Sequence, residues 1–263
     1  MRKLTLILLG IVFICGLSLA TTAQSKAKAV GTAPNGNVKP TGSASASKDP
    51  IRDADRLLTR GDDPVKDRQA LTILESALPT NSNNYDFVWR AARAFYYVGD
   101  FGEKPEKMKY FEKGIIVALR AVALKPDAVE GHFWLAANYG GKAELVGSLK
   151  ALSTVKKIRN EMLIVLKLDA SYEMGNAYLA LGEIDRELPA IAGGDKKRAI
   201  SYFQEGIKIA PDNLDTKVSL AKAYTDAKRH DDAHRLLEEV IKAQPTTRIQ
   251  RAAQDEAKQL LNK

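Results

Sequence analysis

A single cysteine, Cys15, occurs in 263 residues. It sits inside an apolar leader, so cleavage behind that leader would leave a chain that no disulfide can staple, even in an oxidising compartment. Strand-type runs of Val, Ile and Thr are scarce, while Ala, Leu, Lys and Glu recur throughout. That balance argues against a sheet-built core and for an all-α protein. The frames of common chemistry are missing as well. "AGGDKKRA" (192–199) lacks the G-x4-G-K-[ST] pattern of a phosphate loop and follows no strand. No Cys–His set and no nucleophile elbow can be found. "HDDAH" places His230 and His234 four apart, as a zinc pair would be, but without the glutamate of HExxH or a third ligand. Asp231 or Asp232 there suits a helix N-cap better.

Unopposed charge is also absent where it would count. Of 40 basic and 32 acidic residues, six and one fall in residues 1–50, which leaves net +3 for the remainder. The folded part is nearly balanced and its signs are interleaved, which excludes a phosphate-tracking surface and hence nucleic acid as partner. The leader itself has a basic start, "MRK", an apolar run from Leu4 to Ala20, and small residues before Ala20 and Ala23. This is the plan of an export signal cut near residues 20–23, assigned to residues 1–23. A retained anchor is the competing reading, although no basic stop-transfer cluster follows. Cys15 follows "VFI" and not a small residue, which disfavours lipid attachment. Residues 24–50, rich in Ser, Ala, Gly, Pro and Lys, hold no aromatic residue and read as a disordered linker. The protein is therefore expected to be exported and extracytoplasmic, without stable membrane insertion after cleavage.

What is present, from residue 51 to 263, is repetition. "LDTKVSLAKAYTDAKRHDDAHRLLEEVIKAQP" places Leu220, Ala221 and Tyr224 on one helix, then Ala233 and Leu237 on the next, then Pro245. The preceding helix ends at Pro211, and the two prolines lie 34 positions apart. This resembles a tetratricopeptide repeat, with Lys217 where that pattern has Trp. The second-helix phrase recurs as Ala199 and Phe203 before Pro211, as Gly114, Ala118 and Ala121 before Pro126, and as Ala70, Leu74 and Ala77. First helices carry Trp89, Ala92 and Tyr96, or Leu135, Ala136 and Tyr139 with His132 in the tryptophan slot. Five helix pairs are predicted, beginning near Ile51, Tyr85, Val129, Glu173 and Leu214. A final amphipathic helix through Ile249, Ala253, Ala257 and Leu260 is capped by Thr246 or Thr247 and closes the array. The fold class is thus an all-α solenoid with a C-terminal capping helix. Three units are longer than the standard period, and the extra residues, "GEKPEKMKY", "GKAELVGSLKALS" and "RELPAIAGG", are predicted as inter-helix insertions on the binding side.

Together, "VWRAARAFYYVG", "EGHFWLAANYG" and "ELPAIAGGDKKRAISYFQEGIKIAPDN" resemble the TatT component family associated with TRAP transporters, a periplasmic set of tetratricopeptide proteins. The resemblance runs from about Tyr85 to the end. It implies a non-enzymatic scaffold, without cofactor, working beside a periplasmic substrate-binding protein and holding a small apolar ligand. Regulator of microtubule dynamics proteins share part of the "WRAAR" and "HFW" wording, and the export-type leader argues against that family. In repeats of this kind the first helices line a groove. The resemblance puts Phe87, Arg90, Tyr97, Glu130, Phe133, Val218 and Lys222 toward it, with Arg90 and Tyr97 as leading contacts.

Each chemical-looking residue has a plainer reading. His132 and Glu130 lie two apart and so point to different helix faces, which makes packing or an internal hydrogen bond the better reading of the histidine. Arg93 replaces a small packing residue and either pairs with an acid such as Glu130 or extends to water. Gly193–Gly194 reads as a turn and Asp195 as the next helix cap. Two rivals stand beside the transporter-associated scaffold. One is a general envelope scaffold using the same groove, and the other is a metalloprotein using His132, His230 and His234. A homo-oligomer is left open.

Overall fold

The computed structural model describes residues 49–101, 104–146 and 148–262, so the export signal and nearly all of the linker lie outside the described residues. Regular structure among the described residues is helical throughout. It forms five antiparallel pairs: α1 (Pro50–Leu57) with α2 (Pro64–Asn81), α3 (Tyr85–Phe101) with α4 (Lys104–Leu124), α5 (Val129–Val146) with α6 (Ser148–Asp169), α7 (Tyr172–Glu187) with α8 (Lys196–Ile209), and α9 (Leu214–Asp226) with α10 (His230–Lys242). A last helix, α11 (Arg248–Leu261), follows them. The pairs begin within a residue of the predicted starts. Local chemistry sets those boundaries. Asp49, Asp63, Asp195 and Asn213 accept hydrogen bonds from the first backbone N–H groups of α1, α2, α8 and α9. Thr247 and Gln250 form a reciprocal capping box on α11. Asp231 and Asp232 fall inside the first turn of α10, not at its cap, which Arg229 occupies.

First helices pack on one another, α3 on α5, α7 on α9 and α9 on α11, while the second helices do not approach each other as closely. First helices therefore form the inner layer of the curve and second helices the outer one. The core divides into two clusters that meet at α7. One runs from Ala54 to Leu188 and the other from Leu179 to Ala257. At α5, Gly141 lets the Phe111 ring of α4 lie where a Cβ would come within 2.3 Å of it. Only glycine permits that approach.

The predicted insertions behave in two ways. Most of "GEKPEKMKY" and "GKAELVGSLKALS" extends the helices: α3 to α6 run 17 to 22 residues, against 13 in each of α9 and α10. Their alanines, leucines and lysines favour helix over loop once a long neighbour is there to pack against. Among the described residues of the three insertions, only those of "RELPAIAGG" make a true connection, a 3-10 turn at Ala190–Ala192 closed by Gly193 in the left-handed region.

The array curls until its two ends touch. The backbone N–H of Arg248 on α11 donates to Asp62 Oδ1 at 2.7 Å, and its guanidinium donates to the Gly61 carbonyl at 3.3 Å. That guanidinium also lies 4.7 Å from the Phe101 ring centre. The α1–α2 turn that receives it is held by buried Asp67, which accepts from the backbone N–H groups of Thr59 and Gly61. Close to this contact, Asp100 Oδ2 is buried without a hydrogen-bond partner. Burial pushes the Asp100 carboxyl up to about 7, against the pull of Lys107 and Arg248. The unfolded chain releases the same proton near 3.8. The stability this group contributes is therefore complete below about pH 4 and is lost as pH rises through about 7. The thermal midpoint is expected to fall between about pH 5 and pH 7.5, and Asp100→Asn is expected to flatten that slope. An unchanged slope in the variant, measured by circular dichroism melts, would refute this.

Candidate functional site

The inner layer carries charges above a sheet of aromatic rings. On α3, Arg90 Nε donates to Asp55 Oδ2 of α1 at 2.9 Å, and Arg93 Nη2 donates to Asp55 Oδ1. On α5, Glu130 accepts from the Tyr85 hydroxyl at 2.8 Å. From the α1–α2 turn, Arg60 reaches the start of α7 and donates to both oxygens of Glu173, at 3.0 and 3.2 Å. Burial and the adjoining Glu130 push the Tyr85 hydroxyl up, and burial and Glu173 do the same to Tyr172. The charges of Arg93 on α3 and Glu130 on α5 both act on Tyr172 of α7, and Asp55 ties α1 to the same centre through Arg93.

Beneath the charges lie the rings. Trp134 is 5.5 Å from Tyr97, 5.7 Å from Tyr96 and 5.0 Å from Phe133, edge-on to the last. Its Nε1 donates to the Tyr172 hydroxyl at 3.1 Å. Trp89 lies under two guanidiniums, Arg90 at 4.2 Å and Arg93 at 5.0 Å. Two donors here find no acceptor: Trp89 Nε1 and Arg93 Nε are buried and unpaired. Such groups cost free energy unless something completes them.

Backbone strain gathers at the same place. Glu173, Met174 and Gly175 are consecutively left-handed, with φ of 48°, 57° and 69°. The first two lack glycine's freedom, so the turn costs roughly 1–3 kcal/mol at each. Asn213, the cap of α9, helps hold it by donating to Asn176 Oδ1 at 3.0 Å.

The residues that the resemblance put toward the groove divide sharply. Phe87, Tyr97, Phe133 and Val218 are closed inside the core, at 0%, 5%, 3% and 2% exposure. The rings interlock between α3, α5 and α7, and the α9 valine joins the C-terminal core cluster, so none of the four offers an open contact. Arg90 and Glu130 do belong to the inner polar centre. Lys222 pairs with Glu256 of α11 at 2.5 Å and is engaged by the end helix. Arg93 takes neither Glu130 nor open water; its partner is Asp55. Asp55, Arg60, Tyr172 and Glu173 were not found by sequence reasoning, because nothing in repeat spacing brings positions 60 and 173 together.

His132 is a structural bridge. Its Nδ1 lies 2.6 Å from Glu161 Oε2 of α6, and its Nε2 lies 2.9 Å from the Pro126 carbonyl. His132→Ala removes both bonds and a buried ring, so a loss of about 2–3 kcal/mol is expected in urea unfolding. A loss under about 1 kcal/mol would refute the bridging role. His234 is exposed and lies 3.6 Å from Glu238. A separate open cleft of about 550 Å³ lies between α8, α9 and α10, walled by Ile207, Leu220, Leu236 and Tyr224.

The family described as Regulator of microtubule dynamics protein 1-3 matches residues 51–182, half of the chain, and a tetratricopeptide repeat matches residues 190–256. The boundary between these matches falls at α7, where the two cores meet. No curated protein matches the sequence. Among solved structures, TTC0263, a tetratricopeptide protein of Thermus thermophilus, is 17% identical with a TM-score of 0.60, over 81% of this chain and 98% of that one. MamA is 14% identical with a TM-score of 0.46, over 74% and 92%. Yeast Tom70 is 11% identical with a TM-score of 0.33, over 97% and 70%. The Thermus protein's likeness shows the helix-pair fold and nothing more.

Proposed function

This chain belongs to the Regulator of microtubule dynamics protein 1-3 family, and on that premise we propose that it is a non-enzymatic scaffold that holds a protein partner on its inner face. The expectation that the leader argued against this family is overturned. The matched span, 51–182, contains both "WRAAR" and "EGHFW", and residues 1–23 lie outside it.

One observation carries the proposal: the inner layer gathers Arg60, Arg90, Arg93 and Glu173 over an aromatic bed, with the Trp89 and Arg93 donors left incomplete. Arginine and large aromatics at a desolvated centre are the usual anchors of protein recognition. The family's described role, regulation of microtubule dynamics, likewise acts on a protein assembly.

The transporter-associated role is the finer reading, and it rests on sequence wording of which the family match covers "VWRAARAFYYVG" and "EGHFWLAANYG" but not "ELPAIAGGDKKRAISYFQEGIKIAPDN". Its apolar ligand would have to sit away from Tyr97 and Phe133, in the cleft between α8 and α10. Export to an extracytoplasmic compartment rests on residues 1–23, and cell fractionation tests it.

The binding reading is tested by a photo-crosslinking residue at Arg60, with a control at Ile116, which is exposed on α4. An adduct with one discrete protein from the Arg60 position, and none from Ile116, is expected. No adduct at Arg60, or the same adduct at both positions, would overturn it.

A further inference from the structure

Helix α1 is held to the array by very little apolar surface. It has eight residues, and among them only Ala54 is fully buried; Ile51 and Leu57 are partly covered. Its tie to the inner layer is electrostatic. The Asp55 carboxylate spans two guanidiniums of α3, with one oxygen on Arg90 and the other on Arg93. Each is a charge-assisted hydrogen bond, stronger than a neutral one, but neither guanidinium makes the two-bond fork that arginine can offer a carboxylate. The Asp55 side chain stays 37% exposed, so water competes for it throughout. Meanwhile the Trp89 indole N–H, on a residue only 8% exposed, and the Arg93 Nε–H find no acceptor in this arrangement. The receptor offers more donors than Asp55 uses.

We propose that α1 is a built-in stand-in for the partner: Asp55 occupies, on α3, a receptor for an acidic peptide segment made by Arg90, Arg93 and Trp89. This deepens the binding reading above and rests on it. The chemistry selects a carboxylate because both unpaired groups at the site are donors and two guanidiniums flank them. A partner segment with an Asp or Glu in a short turn of helix would replace Asp55 and also complete Trp89 Nε1. The fold lets α1 leave without unravelling its neighbour. Leu58 is extended, and the turn behind it is pinned independently by Asp67 through Thr59 and Gly61. The hinge therefore lies at Leu58.

The experiment follows the two indole N–H signals of the ¹⁵N-labelled full chain, which has two tryptophans. Trp134 donates to Tyr172 and serves as the internal report of an intact fold; Trp89→Phe assigns the other signal. The probe is the blocked peptide of residues 49–58, DPIRDADRLL, with a counterpart bearing asparagine at position 55. The acidic peptide is expected to shift the Trp89 signal in the Asp55→Asn chain and to bind it at least about tenfold tighter than the native chain. The counterpart should not shift it. Arg93→Gln in the Asp55→Asn chain should abolish the effect, and Arg93→Lys, which keeps the charge but loses Nε–H, should weaken it strongly. A Trp89 signal that stays fixed in the Asp55→Asn chain, or equal binding to both chains, would overturn the proposal. If the Arg60 crosslink to a partner survives Arg93→Gln, the scaffold reading stands and this inference falls. If crosslink and peptide shift are both absent, both fall.

Discussion

Trp134→Ala is expected to lower the stability of the chain by about 3–5 kcal/mol. The ring is 1% exposed and joins its own helix α5 to two others, touching Tyr96 and Tyr97 of α3 and Tyr172 of α7 as well as Phe133 beside it. Two costs add. The first is the void: its walls are other rings, stiff and locked edge to face, which cannot collapse into the space as aliphatic chains would. The second is the lost hydrogen bond, since the Tyr172 hydroxyl loses the Nε1–H donor in a place where burial already disfavours its charged form. Trp134→Phe separates the two. It keeps most of the volume and removes the donor, so it should cost about 1–1.5 kcal/mol. Urea unfolding followed by circular dichroism measures both variants. If alanine and phenylalanine cost the same, the void term is wrong; if alanine costs under about 1 kcal/mol, the ring is not a keystone.

The helix pairs were legible because each is written by local rules. Apolar spacing marks the buried stripe, and an Asp, Asn or Thr stands at the starts where a cap is needed. The five starts near Ile51, Tyr85, Val129, Glu173 and Leu214 follow from the recurring helix-pair spacing, and capping residues mark some of them, as Asp49 and Asn213 do for α1 and α9 and Thr247 does for the last helix. His132 was read as a packing residue or an internal hydrogen-bonding one; the structure shows the hydrogen bond, to a partner, Glu161, that lies 29 positions away and could not be named.

The groove was not legible in the same way. Spacing tells which side of a helix is apolar, but not whether a neighbour covers it. Tyr97 and Phe133 look like contacts on an isolated first helix and become core once α5 and α7 stack beside them. The residues that do face inward, Asp55, Arg60 and Glu173, depend on how tightly the array curls. That curl is also what brings Arg248 to the α1–α2 turn. No repeat pattern encodes contacts over 113 or 186 positions. The left-handed turn at Glu173–Gly175 was hidden for a related reason. A single non-glycine residue can enter that region in a local turn, as Lys228 does, but two in succession need tertiary contacts to hold them there.

The same dependence on tertiary partners governs the one insertion that stayed a loop, and it makes Asp185 the second residue of large expected effect. Its carboxylate is 0% exposed at the end of α7, where Arg159 of α6 lies at 2.7 Å and Arg198 of α8 donates at 2.8 Å. Both arginines also donate to the Gly193 carbonyl, at 3.2 and 3.1 Å, so one acid locks three helices and the turn between them. Asp185→Ala leaves two cations facing each other across a small void. Breaking a buried pair costs about 3–5 kcal/mol; because Arg198 is 44% exposed and can turn to water, the lower end, about 3 kcal/mol, is expected here. The turn should open with it, so protease cleavage near the fully exposed Ile191 should speed up beyond what the change in global stability explains. A triple variant, Asp185→Leu with Arg159→Met and Arg198→Met, decides the cause. Removing all three charges should recover much of the loss, because an apolar cluster has no desolvation to offset. If the triple variant is less stable than Asp185→Ala alone, the acid acts by shape and not by charge.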